Sequence, residues 1–191
     1  MNFRKIVLAS AAMVAGALPL AAHAESNVST AASGTLTATA RVNFSITIPR
    51  LLFLQVGTGT LLGNNTNIDL IEFLPGVAVI GTGSVNATPT SGNLGNGQVT
   101  VRVIGNVGNV SLGATGPANL VAGSNTIPWT QISTAITGGA THPTINGANA
   151  SFTAASNVVN INGTWTYTYL NATTPAAGTY TGQVLYTATS P

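Results

Sequence analysis

The chain has 191 residues, of which only 4% are charged, and it contains no cysteine. Its formal net charge of +2 comes from Arg4 and Lys5, because the remaining three arginines balance three acidic residues. The chain after these two residues is neutral, so its sequence gives no sign of a basic surface that binds nucleic acid or anionic lipid. Without cysteine, disulfides and thiolate metal sites are excluded. A surface so poor in charge offers little electrostatic repulsion against association with neighbouring proteins.

The first 24 residues predict a cleaved secretory signal. Two basic residues precede the apolar stretch 6–20, and Ala22-His23-Ala24 matches a small-x-small cleavage site. The apolar stretch is shorter than the roughly 20 residues that a transmembrane helix needs. We therefore expect secretion through the periplasm, no membrane span, and a single domain over residues 25–191.

Residues 35–48 alternate strictly between polar and apolar side chains. The apolar members are Leu36, Ala38, Ala40, Val42, Phe44, Ile46 and Ile48. This period of two predicts a β-strand with one dry face. At about 3.3 Å per residue the strand would be about 46 Å long, whereas a domain of this size is about 40 Å across. The strand must therefore bend between two sheets of a self-complete domain, or part of it must leave the domain.

The rest of the chain predicts short strands separated by Gly, Asn, Pro and Ser. The predicted strands are 51–56, 77–80, 98–104, 110–112, 120–121, 157–162, 164–169 and 180–188. Residues 68–74 fit either a helical turn or a strand. With no sustained helical periodicity, this pattern favours an all-β fold, an antiparallel β-sandwich, with a barrel as the alternative.

The few titratable residues give little support to catalysis. His142 lies in a Gly-rich stretch without a nucleophile motif, which favours a solvated loop histidine over a catalytic one. Asp69 and Glu72 are three residues apart, and we expect them to be solvated or paired with Arg50 or Arg102. The spacing also lacks the dense acidic pattern of calcium loops. The sequence therefore predicts a protein that is not an enzyme, with no metal and no cofactor.

The two tryptophans suggest different roles. Trp165 alternates with tyrosines on one strand face, which predicts a place in the core. Trp129 follows Pro128 in a less regular stretch, where an exposed ring could stack on a sugar. A secreted carbohydrate-binding β-sandwich that uses Trp129 and Asn-rich loops is therefore the alternative function.

Two segments resemble cysteine-free fimbrial subunits of the chaperone–usher type, similar to the alpha-fimbrial group of Gram-negative bacteria. One is the alternating stretch 36–44 soon after the signal, which resembles a donor strand. The other is the run Ala176-Ala177-Gly178-Thr179-Tyr180-Thr181-Gly182-Gln183-Val184, similar to the final-strand motif Ala-Gly-x-Tyr-x-Gly-x-Val of such subunits.

The resemblance implies an incomplete immunoglobulin-like sandwich whose missing strand comes from the next subunit of a surface fibre. The donated face would be Leu36, Ala38, Ala40, Val42 and Phe44. An N-terminal extension of about 25–42 would carry this face, and the subunit's own first strand would run from Ser45 to Pro49. The implied partners are further copies or related fibre subunits, a periplasmic chaperone and an usher, and the implied location is the cell surface.

Overall fold

The computed structural model describes residues 25–191, so the predicted signal lies outside the described residues. Residues 25–48 and residues 49–191 form two separate units, and each is described by itself below. Within the described residues no helix is long and apolar enough to cross a membrane. The regular elements of the unit 49–191 are ten strands, all paired antiparallel, and two short 3-10 turns, which confirms the all-β prediction.

Ten strands form three sheets in the described part of the chain. They are β1 (Leu52–Val56), β2 (Val85–Asn86), β3 (Gln98–Gly105), β4 (Val110–Thr115), β5 (Asn119–Ala122), β6 (Asn125–Pro128), β7 (Ile132–Ile136), β8 (Ala150–Phe152), β9 (Val159–Tyr169) and β10 (Leu185–Thr189). The larger sheet has the order β1-β3-β9-β2, and β7 also pairs with β9. A second sheet has the order β10-β4-β8, and β5 pairs with β6 as a hairpin.

The two main sheets share one hydrophobic core. In β3 the valines 99, 101 and 103 are buried, whereas their polar neighbours are half-buried, as the predicted alternation requires. Opposite β3, β4 contributes Leu112 and β8 contributes Phe152 to the same cluster. Trp165 of β9 is completely buried, so its predicted core position is confirmed.

The long strand β9 joins two segments that the sequence pattern treats as separate strands. Its eleven residues pair with β3 over Val159–Thr166 and with β7 over Trp165–Tyr169. Gly163 lies between the two predicted strands, and a Cβ at this position would collide with the carbonyl oxygen of Thr137. The glycine therefore permits a close backbone approach inside a continuous strand and does not end it.

Three predicted elements differ in the structure. Residues Val77–Val79 form a 3-10 turn and not a strand. Of residues 180–188, only those from Leu185 onward belong to a strand, because Thr181 instead forms an isolated bridge with Val121. Residues 68–74 form neither a helix nor a strand. The carbonyls of Leu70 and Glu72 accept hydrogen bonds from the backbone N–H groups of Gly92 and Thr88, which belong to a turn region and not to a neighbouring strand.

Truncating the core should cost far more stability than truncating an exposed apolar residue. Leu112→Ala removes a completely buried side chain and should lower the free energy of unfolding by about 2–5 kcal/mol. Val77→Ala, at a position that is 90% exposed, should change it by less than about 0.5 kcal/mol. Urea denaturation of both variants measures the difference. Equal losses would show that Leu112 is not in a packed core.

Candidate assembly surface

The N-terminal unit presents its apolar residues to solvent. No residue from 25 to 48 belongs to a strand or helix, so the strand predicted over residues 35–48 is not formed. All five residues of the predicted donor face are exposed: Leu36 (49%), Ala38, Ala40, Val42 (75%) and Phe44 (89%). An isolated strand leaves its N–H and C=O groups unpaired, and its apolar face is stable only when another surface covers it.

The first strand of the unit 49–191 does not run from Ser45 to Pro49 as expected. It begins at Leu52, and Ile46 and Ile48 are 86% and 76% exposed. Asn106 holds the first residues of the unit 49–191 in place. Its Oδ1 accepts a hydrogen bond from the backbone N–H of Leu51 at 2.7 Å. Its Nδ2 donates to the Pro49 carbonyl at 2.8 Å. Sequence reasoning therefore missed two residues of the exposed apolar face.

One signal in the sequence points to this boundary. Proline lacks the N–H that a strand interior needs, so Pro49 favours a break between the alternating stretch and the next strand. The exposed alternating face consequently continues up to Ile48.

One ion pair, between Glu25 and Arg41, closes a loop over the first 17 described residues of the N-terminal unit. The Arg41 guanidinium donates from Nε to Glu25 Oε2 at 2.6 Å and from Nη2 to Oε1 at 2.9 Å. The hydrogen bond from Arg41 lowers the pKa of Glu25, and the same bond raises the pKa of Arg41. Both groups are solvated, so salt weakens the pair.

In the unit 49–191, one edge of β1 has no strand beside it among the described residues. β1 pairs only with β3. The Leu51 carbonyl accepts from Asn106 and the Gly57 N–H donates to Thr100, so the odd-numbered residues bond to β3. By the alternation of an antiparallel ladder, the backbone groups of the even-numbered residues point to the open edge. These residues are Leu52, Leu54 and Val56, whose side chains pack against the core.

The edge of β10 has the same arrangement. β10 pairs only with β4 in the described part of the chain, and the Ala114 carbonyl of β4 points away from it to Asn146. The backbone groups of the odd-numbered residues of β4 therefore point to β10. The odd-numbered residues of β10, which pair with them, direct their own backbone groups to β4. The backbone groups of Tyr186 and Ala188 point to the open edge, and both side chains pack against the core.

These two open edges lie beside each other, and we call the gap between β1 and β10 the seam. Their Cα atoms come within 8 Å, but no ladder joins them. At one end, Arg50 Nη2 donates to the Pro191 carbonyl at 3.2 Å. A strand between two others would hold them about 9.5 Å apart. An inserted strand must therefore widen the closest part of the seam by about 1.5 Å or more.

Tyr186 connects the seam to a set of hydrogen-bonded side chains inside the core. His142 Nε2 lies 2.9 Å from Tyr186 Oη, which lies 3.0 Å from Tyr167 Oη. The histidine ring also packs edge-on against Trp165, with ring centroids 4.5 Å apart. Burial lowers the pKa of His142 to about 4 and raises the pKa values of Tyr167 and Tyr186. The expectation of a solvated loop histidine is therefore wrong, because the loop folds back over the aromatic side chains.

The structure does not bring the acidic residues together with the arginines. Asp69 accepts from the N–H and the Oγ1 of Thr58, both at 2.6 Å. Arg102 donates to Gln55 Oε1 at 3.0 Å. Among the described residues the ion pair of the N-terminal unit is the only salt bridge, so the pairing of Asp69 or Glu72 with an arginine is not observed.

The candidate glycan contact Trp129 is partly buried and has structural partners. Its Nε1 donates to the Pro117 carbonyl at 2.7 Å, and its ring lies against Gly116 and Gly182. A Cβ at Gly182 would lie 2.9 Å from the ring, so the glycine allows this contact. Trp129 also borders a shallow groove of about 310 Å³ beside His142. The contacts favour a role in holding the β5–β6 hairpin.

Comparison with known proteins adds no further constraint. No family model, no curated protein and no solved structure matches the chain. The fold and the open edges are therefore interpreted from their own geometry.

Acid should destabilise the fold through His142. Its pKa is about 4 in the folded state and about 6.5 when unfolded. The unfolded chain therefore binds the proton first, and stability that is fully present above pH 6.5 is lost as the pH falls toward 4. Allowing for partial solvent exposure, we expect a loss of about 1–2 kcal/mol in the free energy of unfolding.

Urea denaturation at pH 7 and pH 4.5 measures this loss, with His142→Gln as the control. The glutamine keeps a polar side chain but cannot take up a proton in this range. The variant should lose most of the dependence between these two pH values. An unchanged dependence in His142→Gln would assign the effect to another group.

Proposed function

We propose that the protein is an exported structural subunit of a surface fibre that assembles by β-strand donation. The observation that carries the proposal is the pairing of two complementary features. Within the described residues 25–191, no strand pairs with two adjacent strand edges of the unit 49–191, and none pairs with the exposed alternating segment in residues 25–48. On this proposal the sandwich is immunoglobulin-like and lacks one strand.

The chemistry of the seam fits an incoming strand. Its backbone would bond to the open groups of β1 and β10, and its alternate side chains would enter the core between them. This is the mode of recognition known as β-strand addition, in which main-chain bonds give affinity and side-chain pockets give specificity. At about 1.5–3 kcal/mol for each fully buried apolar side chain, three to four such residues contribute on the order of 5–12 kcal/mol before ordering costs.

A further copy of the chain is the simplest partner, because each copy carries both a segment to donate and a seam to accept one. Donation from one copy into the next is a head-to-tail contact, and such contacts build open filaments when the rotation between copies does not close a ring. The scarcity of charge favours this packing, because neighbouring copies repel each other little. A chaperone would occupy the same seam before assembly, and an usher would bring successive copies together.

Phe44→Asp tests the proposal in the full mature chain. Phe44 is 89% exposed, so the substitution should leave the fold intact but place a charge in the core of the neighbouring copy. We expect the wild-type protein to form linear oligomers in light scattering and electron microscopy, and the variant to remain monomeric.

The matched control is Asn43→Asp, which adds the same charge on the polar face of the same segment. It should assemble like the wild type. If the wild-type protein is a monomer with its seam closed, or if both variants assemble normally, the fibre proposal is wrong. A specific glycan bound by that monomer and lost in Trp129→Ala would favour the carbohydrate-binding alternative.

A further inference from the structure

Resting on the proposed function, we infer that the donated strand is residues 42–48 and not residues 36–44. The inserted side chains are then three successive members of the set Val42, Phe44, Ile46 and Ile48, and the acceptor is the seam of a second copy of this chain. Three independent features of the structure support this register.

The first feature is the length of the seam. β1 and β10 have five residues each, or about 17 Å. A strand between them therefore pairs over about five residues and directs three alternate side chains inward. Every five-residue window of 42–48 that begins at an even position provides three large apolar side chains. Every such window of 36–44 includes at least one alanine, and two of the three include both Ala38 and Ala40.

The second feature is where the chain becomes fixed. Asn106 binds the backbone at Pro49 and at Leu51, so Ile48 is the last residue before the anchored part. Donation by 42–48 leaves a link of only three residues, 49–51, which spans at most about 11 Å. Successive copies are then held close together by a short link that contains a proline. Donation by 36–44 would add four residues that Asn106 does not hold, 45–48, and so lengthen the link between copies.

The third feature is the loop that precedes residue 42. The Glu25–Arg41 pair joins positions 16 residues apart, so the chain before Val42 is drawn into a loop of its own. Leu36, inside this loop, is only 49% exposed, whereas Val42, Phe44, Ile46 and Ile48 are between 75% and 89% exposed. The most exposed part of the alternating face is thus the part nearest the anchored fold.

Disulfide trapping between two copies tests the register directly, since the protein has no cysteine that would give a background. One chain carries Thr187→Cys, on the exposed face of β10. The co-expressed second chain carries one cysteine on the polar face of the segment, at Thr37, Thr39, Ser45 or Thr47. Residues directly opposite on neighbouring antiparallel strands have Cα atoms about 4.5–5.5 Å apart, which lies within the Cα separation of about 4.4–6.8 Å that a disulfide spans. Ser124→Cys, in the exposed turn of the β5–β6 hairpin, is the matched control.

We expect the Ser45→Cys or Thr47→Cys chain to give at least about tenfold more linked heterodimer with Thr187→Cys than the Thr37→Cys and Thr39→Cys chains give. Higher yields at Thr37 or Thr39 would overturn the register but leave strand donation intact. If no position exceeds the Ser124 control, both the register and the proposed function are wrong.

A pair of threonine substitutions gives a second measure in the same full chain. Ile46→Thr keeps the β-branched shape and removes apolar surface, and it should weaken assembly about tenfold or more in apparent dissociation constant. Leu36→Thr should weaken it less than about threefold. The opposite order would also overturn the register.

Discussion

A strand edge with unpaired N–H and C=O groups is the constraint on which this structure depends. β1 and β10 each end a sheet, and at both edges the residues that direct backbone groups outward also direct side chains into the core. An added strand at this position would therefore satisfy both needs of the fold at once. It would pair the backbone and cover the partly exposed apolar residues. A short polar loop would supply neither a regular ladder nor alternate apolar side chains.

The seam is also connected to the interior of the protein. Tyr186 lies on the open edge strand, yet its hydroxyl belongs to the group formed with His142 and Tyr167. Burial within this group favours the uncharged form of His142 and lowers its pKa, because it penalises the charged imidazolium. A single side chain thus joins the open edge strand to a histidine in the core.

The strands with clean alternation and buried neighbours were predictable from the sequence. The predicted strand 98–104 corresponds to β3, and Trp165 lies in the core as predicted. In both cases apolar and polar residues alternate along the sequence, and the buried and less buried side chains alternate with them. The prediction was poorer where a distant partner decides the conformation. Thr181 pairs with Val121, so the alternating run 180–184 is not a ladder strand, and His142 is buried by side chains far away in the chain. Residue order alone contains neither contact.

The sequence by itself determined the class of the molecule: an all-β chain nearly without charge, with apolar and polar residues that alternate over positions 35–48. Only the tertiary structure decided where that segment ends and what it lacks. Asn106 fixes the boundary at Pro49 through two hydrogen bonds to residues more than 50 positions earlier, and the two open edges become neighbours only when β1 and β10 fold together. Local patterns specify which face of a strand is apolar, but pairing between strands is a long-range choice made by the whole fold.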